Sequence, residues 1–178
     1  MTRPKFDHDV GVLVLKQAVH AYALAGVTAW IQDGTLLGAV RHGAIIPWDY
    51  DMDLGVMSGD WTPEADDILK RWGFKSDANH NTPESDYHQK WSKRGVRFCV
   101  FHYYREPDGS IWHGIRKKRY RFVYPREFEL EPVQLSGVWF PAPSPPEAFL
   151  TTKYGDWRRP RRVWASGPMP ANSTRVRS

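Results

Sequence analysis

The chain has 178 residues, of which 41% are hydrophobic, with a formal charge of +5 and one cysteine. That composition is enough for one compact domain and excludes wholesale disorder. A lone cysteine excludes an intrachain disulfide and a cysteine-based zinc site, and no apolar run reaches the roughly 20 residues that a membrane-spanning helix needs.

The N-terminus, MTRPKFDHDV, carries acids and lacks the apolar stretch of a secretory leader. With Cys99 alone, this leads us to expect a soluble protein of a reducing compartment, cytoplasmic and without a transmembrane segment. Charge is uneven: from Arg116 onward there are 13 Lys and Arg against 5 Asp and Glu. A basic C-terminal third attracts polyanions or is simply a solvated surface. Nucleic acid ranks last among its partners because no recognised nucleic-acid module is present.

Val10 to Leu24 is apolar-rich, preceded by the capping residues Asp7 and Asp9 and followed by Gly26, and predicts a buried helix. Val27 to Gln32 predicts a short strand. Asp33-Gly34-Thr35 breaks it and starts a short helix through Val40. Pro47 keeps Ile46 out of helical geometry, making Gly43 to Trp48 a connector. Asp49, Asp51 and Asp53 then alternate with Tyr50 and Met52, which on a strand would place all three carboxylates on one face.

Thr62-Pro63 opens a second amphipathic helix, with Ala65, Ile68, Leu69 and Trp72 on one side and Gly73 as its stop. Lys75 to Lys90 is polar and reads as a long loop. Val96 to Tyr104 predicts a strand, turned through Pro107-Asp108-Gly109 into Ile111-Trp112-His113. Arg119 to Tyr124 predicts another. Pro132 to Leu135 and Val138 to Phe140 flank Ser136-Gly137 as a hairpin. Ser144-Pro-Pro-Glu147 has the form of a capping box before a helix ending near Tyr154. One domain over residues 1–165 and an unstructured tail over 166–178 are expected, with no repeat.

Three like charges on one face repel unless a cation sits among them, and Mg²⁺ is typically held by one or two carboxylates plus substrate phosphates. A lone D-x-D pattern more often marks a polar edge strand or an Asx turn. Its context here adds weight. Gly34 lets a phosphate approach the backbone, Thr35 and the following helix start offer donors, and Arg41, beside His42, carries a charge-matching fork.

The run GTLLGAVRHGAIIPWDYDMDLGV resembles the signature of the LicD family, which includes fukutin and fukutin-related protein. PAPSPPEAFLTTKYGDWRRP resembles the closing segment of that family. The resemblance spans residues 27–160. It implies an α+β, polymerase-β-like nucleotidyltransferase fold, with a mixed β-sheet flanked by helices.

The activity implied is metal-dependent phosphotransfer. A phosphorylated alcohol moves from a CDP-alcohol donor to a glycan hydroxyl, as in lipopolysaccharide or teichoic acid modification. Asp51 and Asp53 would be the catalytic, metal-binding pair for Mg²⁺ or Mn²⁺. Gly34 and Thr35 would grip phosphate, Arg41 and His42 would bind charge or shape the loop, and Asp49 would be their structural neighbour. Nucleotidyl transfer, or nucleotide and glycan binding without turnover, are the alternative readings.

One departure stands out. In this family a neighbouring strand supplies a third carboxylate, and the matching position is Cys99 in Phe98-Cys99-Val100-Phe101. A neutral thiol is a poor Mg²⁺ ligand and a poor proton acceptor. Glu106, Asp108 or the 75–90 loop would then have to supply a base. His80, His88, His102 and His113 lack metal spacing and read as surface residues. Trp30, Trp72 and Trp139 read as core, and Trp48 as packing. Trp61, Trp112, Trp157 and Trp164 read as freer contacts for a sugar, and RKKRYR at 116–121 as a basic strand or polyanion grip.

Overall fold

In the computed structural model, residues 7–76, 88–115, 120–159 and 172–175 are described. The first helix, α1 (His8–Leu24), starts where expected, with Asp7 Oδ1 accepting from the Asp9 and Val10 amides at 2.9 and 3.2 Å. Gly11, Val14, Leu15, Ala18, Ala21 and Tyr22 form its buried stripe, the spacing of one helical face. Strand β1 is short, only Trp30–Ile31. The Val27 amide instead bonds back to the Tyr22 carbonyl at 3.0 Å.

Helix α2 (Asp33–His42) follows at once and stops at Gly43, whose φ of 67° is left-handed. Strand β2 (Met52–Met57) and helix α3 (Pro63–Arg71) come next. Strands β3 (Lys75–Ser76) and β4 (His88–Lys93) occupy both ends of the segment expected to be a loop, and residues 77–87 between them lie outside the described residues. Then come β5 (Val96–Arg105), β6 (Ile111–Ile115), β7 (Tyr120–Tyr124), β8 (Glu129–Leu135), β9 (Val138–Ser144), α4 (Pro146–Tyr154) and β10 (Ser173–Arg175).

The main sheet runs β1-β2-β5-β6-β7-β10, with β4 beside the first half of β5 and β3 beside β4. Only β2 and β5 are parallel among the described pairs. That one parallel pair makes the sheet mixed, as expected. Helices α1 and α3 pack together, and α1 also touches β5. The β8–β9 hairpin, turned through Ser136-Gly137 as predicted, packs with β1, α2 and α4. Among the described residues no helix is long and apolar enough to cross a membrane.

Several expectations are corrected. Ser144 is still a strand residue opposite Glu129, and its hydroxyl donates to Glu131, so it caps nothing; α4 starts after Pro145 with no side-chain cap. Residues 173–175 pair with β7 rather than trailing away, and the rest of the predicted tail lies outside the described residues. His88, His102 and His113 are buried. Trp112 and Trp157 are buried too, while Trp139 and Trp48 are exposed. An aromatic or histidine in a strand faces inward or outward according to register, which composition does not reveal. Arg121 lies 3.8 Å from the Trp112 ring and 3.6 Å from Glu106. That member of the basic run is therefore engaged within the fold. Residues 116–119 and Trp164 fall outside the described residues, as does His80.

Candidate functional site

The site forms where α2 begins. The Gln32 amide closes the β1–β2 pair by donating to the Asp53 carbonyl at 3.1 Å. The chain then turns sharply through Asp33, whose φ of 46° is uncommon for a residue with a side chain. The turn aims the Gly34 amide at Asp53, Oδ2 of which it meets at 3.3 Å. Gly34 is required by space. A Cβ there would lie 2.9 Å from Asp49 Oδ2 and 3.6 Å from Asp53 Oδ2. Thr35 clamps the same strand, its Oγ1 accepting from the Asp53 amide at 2.8 Å. A hydroxyl that accepts still has one proton to donate.

The three carboxylates converge, but not by strand alternation. Only Asp53 lies within β2, and Asp49 and Asp51 precede it. Asp49 is set by a turn, its amide donating to the Ile46 carbonyl at 2.9 Å, and its Oδ1 accepts from the Tyr50 amide at 3.0 Å. This is the Asx contact expected of a structural neighbour, yet the other oxygen of Asp49 faces Gly34.

Crowding shows in the protonation of these groups. Burial, then repulsion from Asp51, raises the Asp49 carboxyl to about 6. Burial, then Asp33, Asp51 and Asp49, pushes Asp53 well above the carboxylate range, with Lys153 opposing. Buried carboxylates arranged this way call for a proton or a cation.

The donors fit Mg²⁺ or Mn²⁺, which take hard oxygen ligands. Among the described residues no group of three or more His, Cys, Asp or Glu side chains forms a ready-made cage.

Cys99 stands where the third carboxylate was sought. Parallel pairing sets it directly opposite Asp53, so both side chains share a sheet face. Burial, followed by Asp53 and Asp51, pushes its thiol far above the ordinary range. It is a neutral group. Glu106 and Asp108 do not replace it. They follow the end of β5, about 20 Å beyond Cys99 at the usual strand rise. Glu106 is bound by the Trp112 indole at 2.7 Å, and Asp108 holds the Ser110 amide at 2.9 Å.

Arg41 and His42 are not brought to the carboxylates. They close the other end of α2, roughly 10 Å along the axis from Gly34. Arg41 donates to His42 Nε2 at 2.8 Å and to the Trp157 carbonyl at 3.3 Å.

Sequence reasoning missed the pair beneath the turn. Lys153 of α4 donates to the Asp33 carboxylate at 3.1 Å, meets His113 Nε2 at 3.3 Å and covers the Phe122 ring at 3.8 Å. Its side chain is 7% exposed and that of Asp33 12%. The signal was faint. Lysine in the last turn of a short helix is ordinary, and only its contact with Asp33 gives it a role.

A mixed sheet, a glycine turn at a helix start and carboxylates on and just before the adjoining strand define a nucleotidyltransferase-like fold. The solved structure of the lincosamide antibiotic adenylyltransferase LnuA, lincomycin-bound, shares it, with a TM-score of 0.56 over 80% of this chain and 85% of that one, at 17% identity. The chain belongs to the LicD family. The family model described as LicD/FKTN/FKRP, nucleotidyltransferase domain, matches residues 26–145.

Ribitol-5-phosphate transferase FKTN of Mus musculus is 26% identical over 153 residues, 83% of this chain and 33% of that protein. Ribitol 5-phosphate transferase FKRP of Homo sapiens is 69% identical over 32 residues, 18% of this chain and 6% of that protein. The chain thus spans a third or less of the curated relatives it matches here.

Proposed function

We propose that this chain is a metal-dependent phosphotransferase, moving a phosphorylated alcohol from a CDP-alcohol donor to a hydroxyl of a glycan. The observation that carries the reading is the Gly34 amide facing the Asp49 and Asp53 carboxylates across a gap too narrow for a side chain, with Asp51 close enough to repel both. Gly34 and Thr35 bind donor phosphate. Asp51 and Asp53 hold Mg²⁺ or Mn²⁺, which supplies positive charge to the phosphate oxygens when bound. The acceptor hydroxyl attacks phosphorus as the bond to the leaving phosphate breaks, releasing CMP. Family membership supports the class of reaction.

Asp51→Ala and Asp53→Ala are each expected to abolish CMP release from CDP-ribitol, CDP-choline and CDP-glycerol over a panel of glycan acceptors with Mn²⁺. Turnover unchanged in either variant would overturn the assignment. Product mass separates phosphoalcohol transfer from nucleotidyl transfer. Cys99 opposite Asp53 favours a second reading, a relative that binds nucleotide without turnover. For that one, Mn²⁺-dependent CDP binding is expected with no product from any acceptor.

A further inference from the structure

The register of four strands lays out one face of the sheet. Asp53 is opposite Cys99, Cys99 is opposite Lys90, Arg97 is opposite Ser92, and Ser92 is opposite Lys75. Paired residues share a face. Starting from Asp53 on β2, the surface therefore passes through a neutral thiol to three cations on β5, β4 and β3. A cleft of about 390 Å³ runs along it, lined by Asp51, Lys75, Lys90, Ser92, Arg97 and Cys99 among others. Among the described residues, none of Lys75, Lys90 and Arg97 is in an ion pair.

The cleft lies on the opposite side of the carboxylates from Gly34. The sheet order puts β1 on one flank of β2 and β5, β4 and β3 on the other, and α2 begins directly after β1. In phosphoryl transfer the attacking and leaving oxygens stand roughly in line across phosphorus. A donor gripped at Gly34 leaves on that side, so the hydroxyl arrives from the β5 side, over Cys99.

We infer that this cleft is the acceptor subsite and that it selects an anionic acceptor, one whose phosphate or carboxylate group lies about 10 Å, two strand spacings, from the reacting hydroxyl. The inference rests on the transferase reading above for the identity of the reaction. The neutral Cys99 suits such an acceptor, because a carboxylate there would repel an anion crossing from the cations to Asp53.

The test is calorimetric titration of the full chain with glucose 6-phosphate and with glucose, without metal or donor. Glucose 6-phosphate is expected to bind at least tenfold more tightly than glucose. Lys90→Glu with Arg97→Glu, exchanges at partly or fully exposed positions, is expected to weaken it at least tenfold while Mn²⁺-dependent CDP binding stays. Equal binding of the two sugars, no binding of either, or no effect of the double variant overturns the proposal. Displacement of glucose 6-phosphate by CDP with Mn²⁺ also overturns it, by giving the cations to the donor. Mn²⁺-dependent CDP binding that survives Asp51→Ala would defeat the donor-site reading alone, so the two failures are distinguishable.

Discussion

The Lys153 ammonium stands 3.1 Å from the Asp33 carboxylate, across 120 residues of chain. Asp33 is the left-handed residue that turns the backbone into Gly34, so a cation from α4 holds that turn from below. Both side chains are nearly buried, and removing one partner of such a pair costs about 3–5 kcal/mol. Lys153→Met is expected to lose that much in urea denaturation. Lys153→Met with Asp33→Asn should cost less than the sum of the single changes, because neither leaves an orphaned charge. Strict additivity would show that the pair does not act as a unit.

Gly34→Ala tests the narrow gap. Its Cβ would sit 2.9 Å from Asp49 Oδ2 and 3.6 Å from Asp53 Oδ2, so the carboxylates must shift to admit it. The variant is expected to fold, with circular dichroism unchanged, but to weaken Mn²⁺-dependent CDP binding at least tenfold. Wild-type affinity would mean that phosphate does not approach at this turn.

Cys99 can be tested twice. Its thiol is pushed up by burial and by Asp53 and Asp51, so alkylation by iodoacetamide at pH 8 should be far slower than for a free thiol, and should reach the free rate in denaturant. Cys99→Asp puts another carboxylate opposite Asp53. That variant should melt lower than wild type in chelator and show a larger stabilisation by Mn²⁺. Equal metal-induced shifts in the two proteins would show that position 99 does not face the metal site.

His102 predicts an acid-sensitive fold. Burial, then His88, lowers it from the ordinary 6.5 to about 3, and its Nε2 lies 3.1 Å from Gln89 Oε1. The unfolded chain takes up a proton below pH 6.5 that the folded chain refuses. The stability it confers is therefore full above that pH and is lost as pH falls toward 3, by about 1.4 kcal/mol per unit. Asp66, raised to about 6 mainly by burial, acts with the opposite sign, its folded form gaining the proton first as pH falls. Comparing His102→Gln with wild type isolates the histidine. Between pH 7 and 5 the wild type should lose about 2 kcal/mol more than the variant in urea denaturation.

Much of this was written locally. Asp7 capping α1, the spacing of Ala65, Ile68 and Leu69, and Ser136-Gly137 between two strands act over a few residues, and each element was found where those signals lie. The register guess that set Cys99 beside Asp53 also holds, with the two paired directly across β2 and β5. What sequence hid was long range. Asp49 reaches the site through a turn rather than along a strand. Arg41 sits inside the signature in sequence but points to Trp157. Lys153 matters only because α4 folds back beneath α2.

That return of α4 has a kinetic meaning. The turn that faces the carboxylates is secured by a residue arriving near the end of the domain, and β2 meets β5 only as a non-local parallel pair. Contacts of this span close late, after loop-closure entropy has been overcome. The aspartate run is therefore complete in sequence long before it is a site in space, and a chain still emerging or partly folded presents repelling carboxylates with nothing to organise them. The geometry of the Gly34 turn is a property of the finished domain, conferred at the step that docks α4.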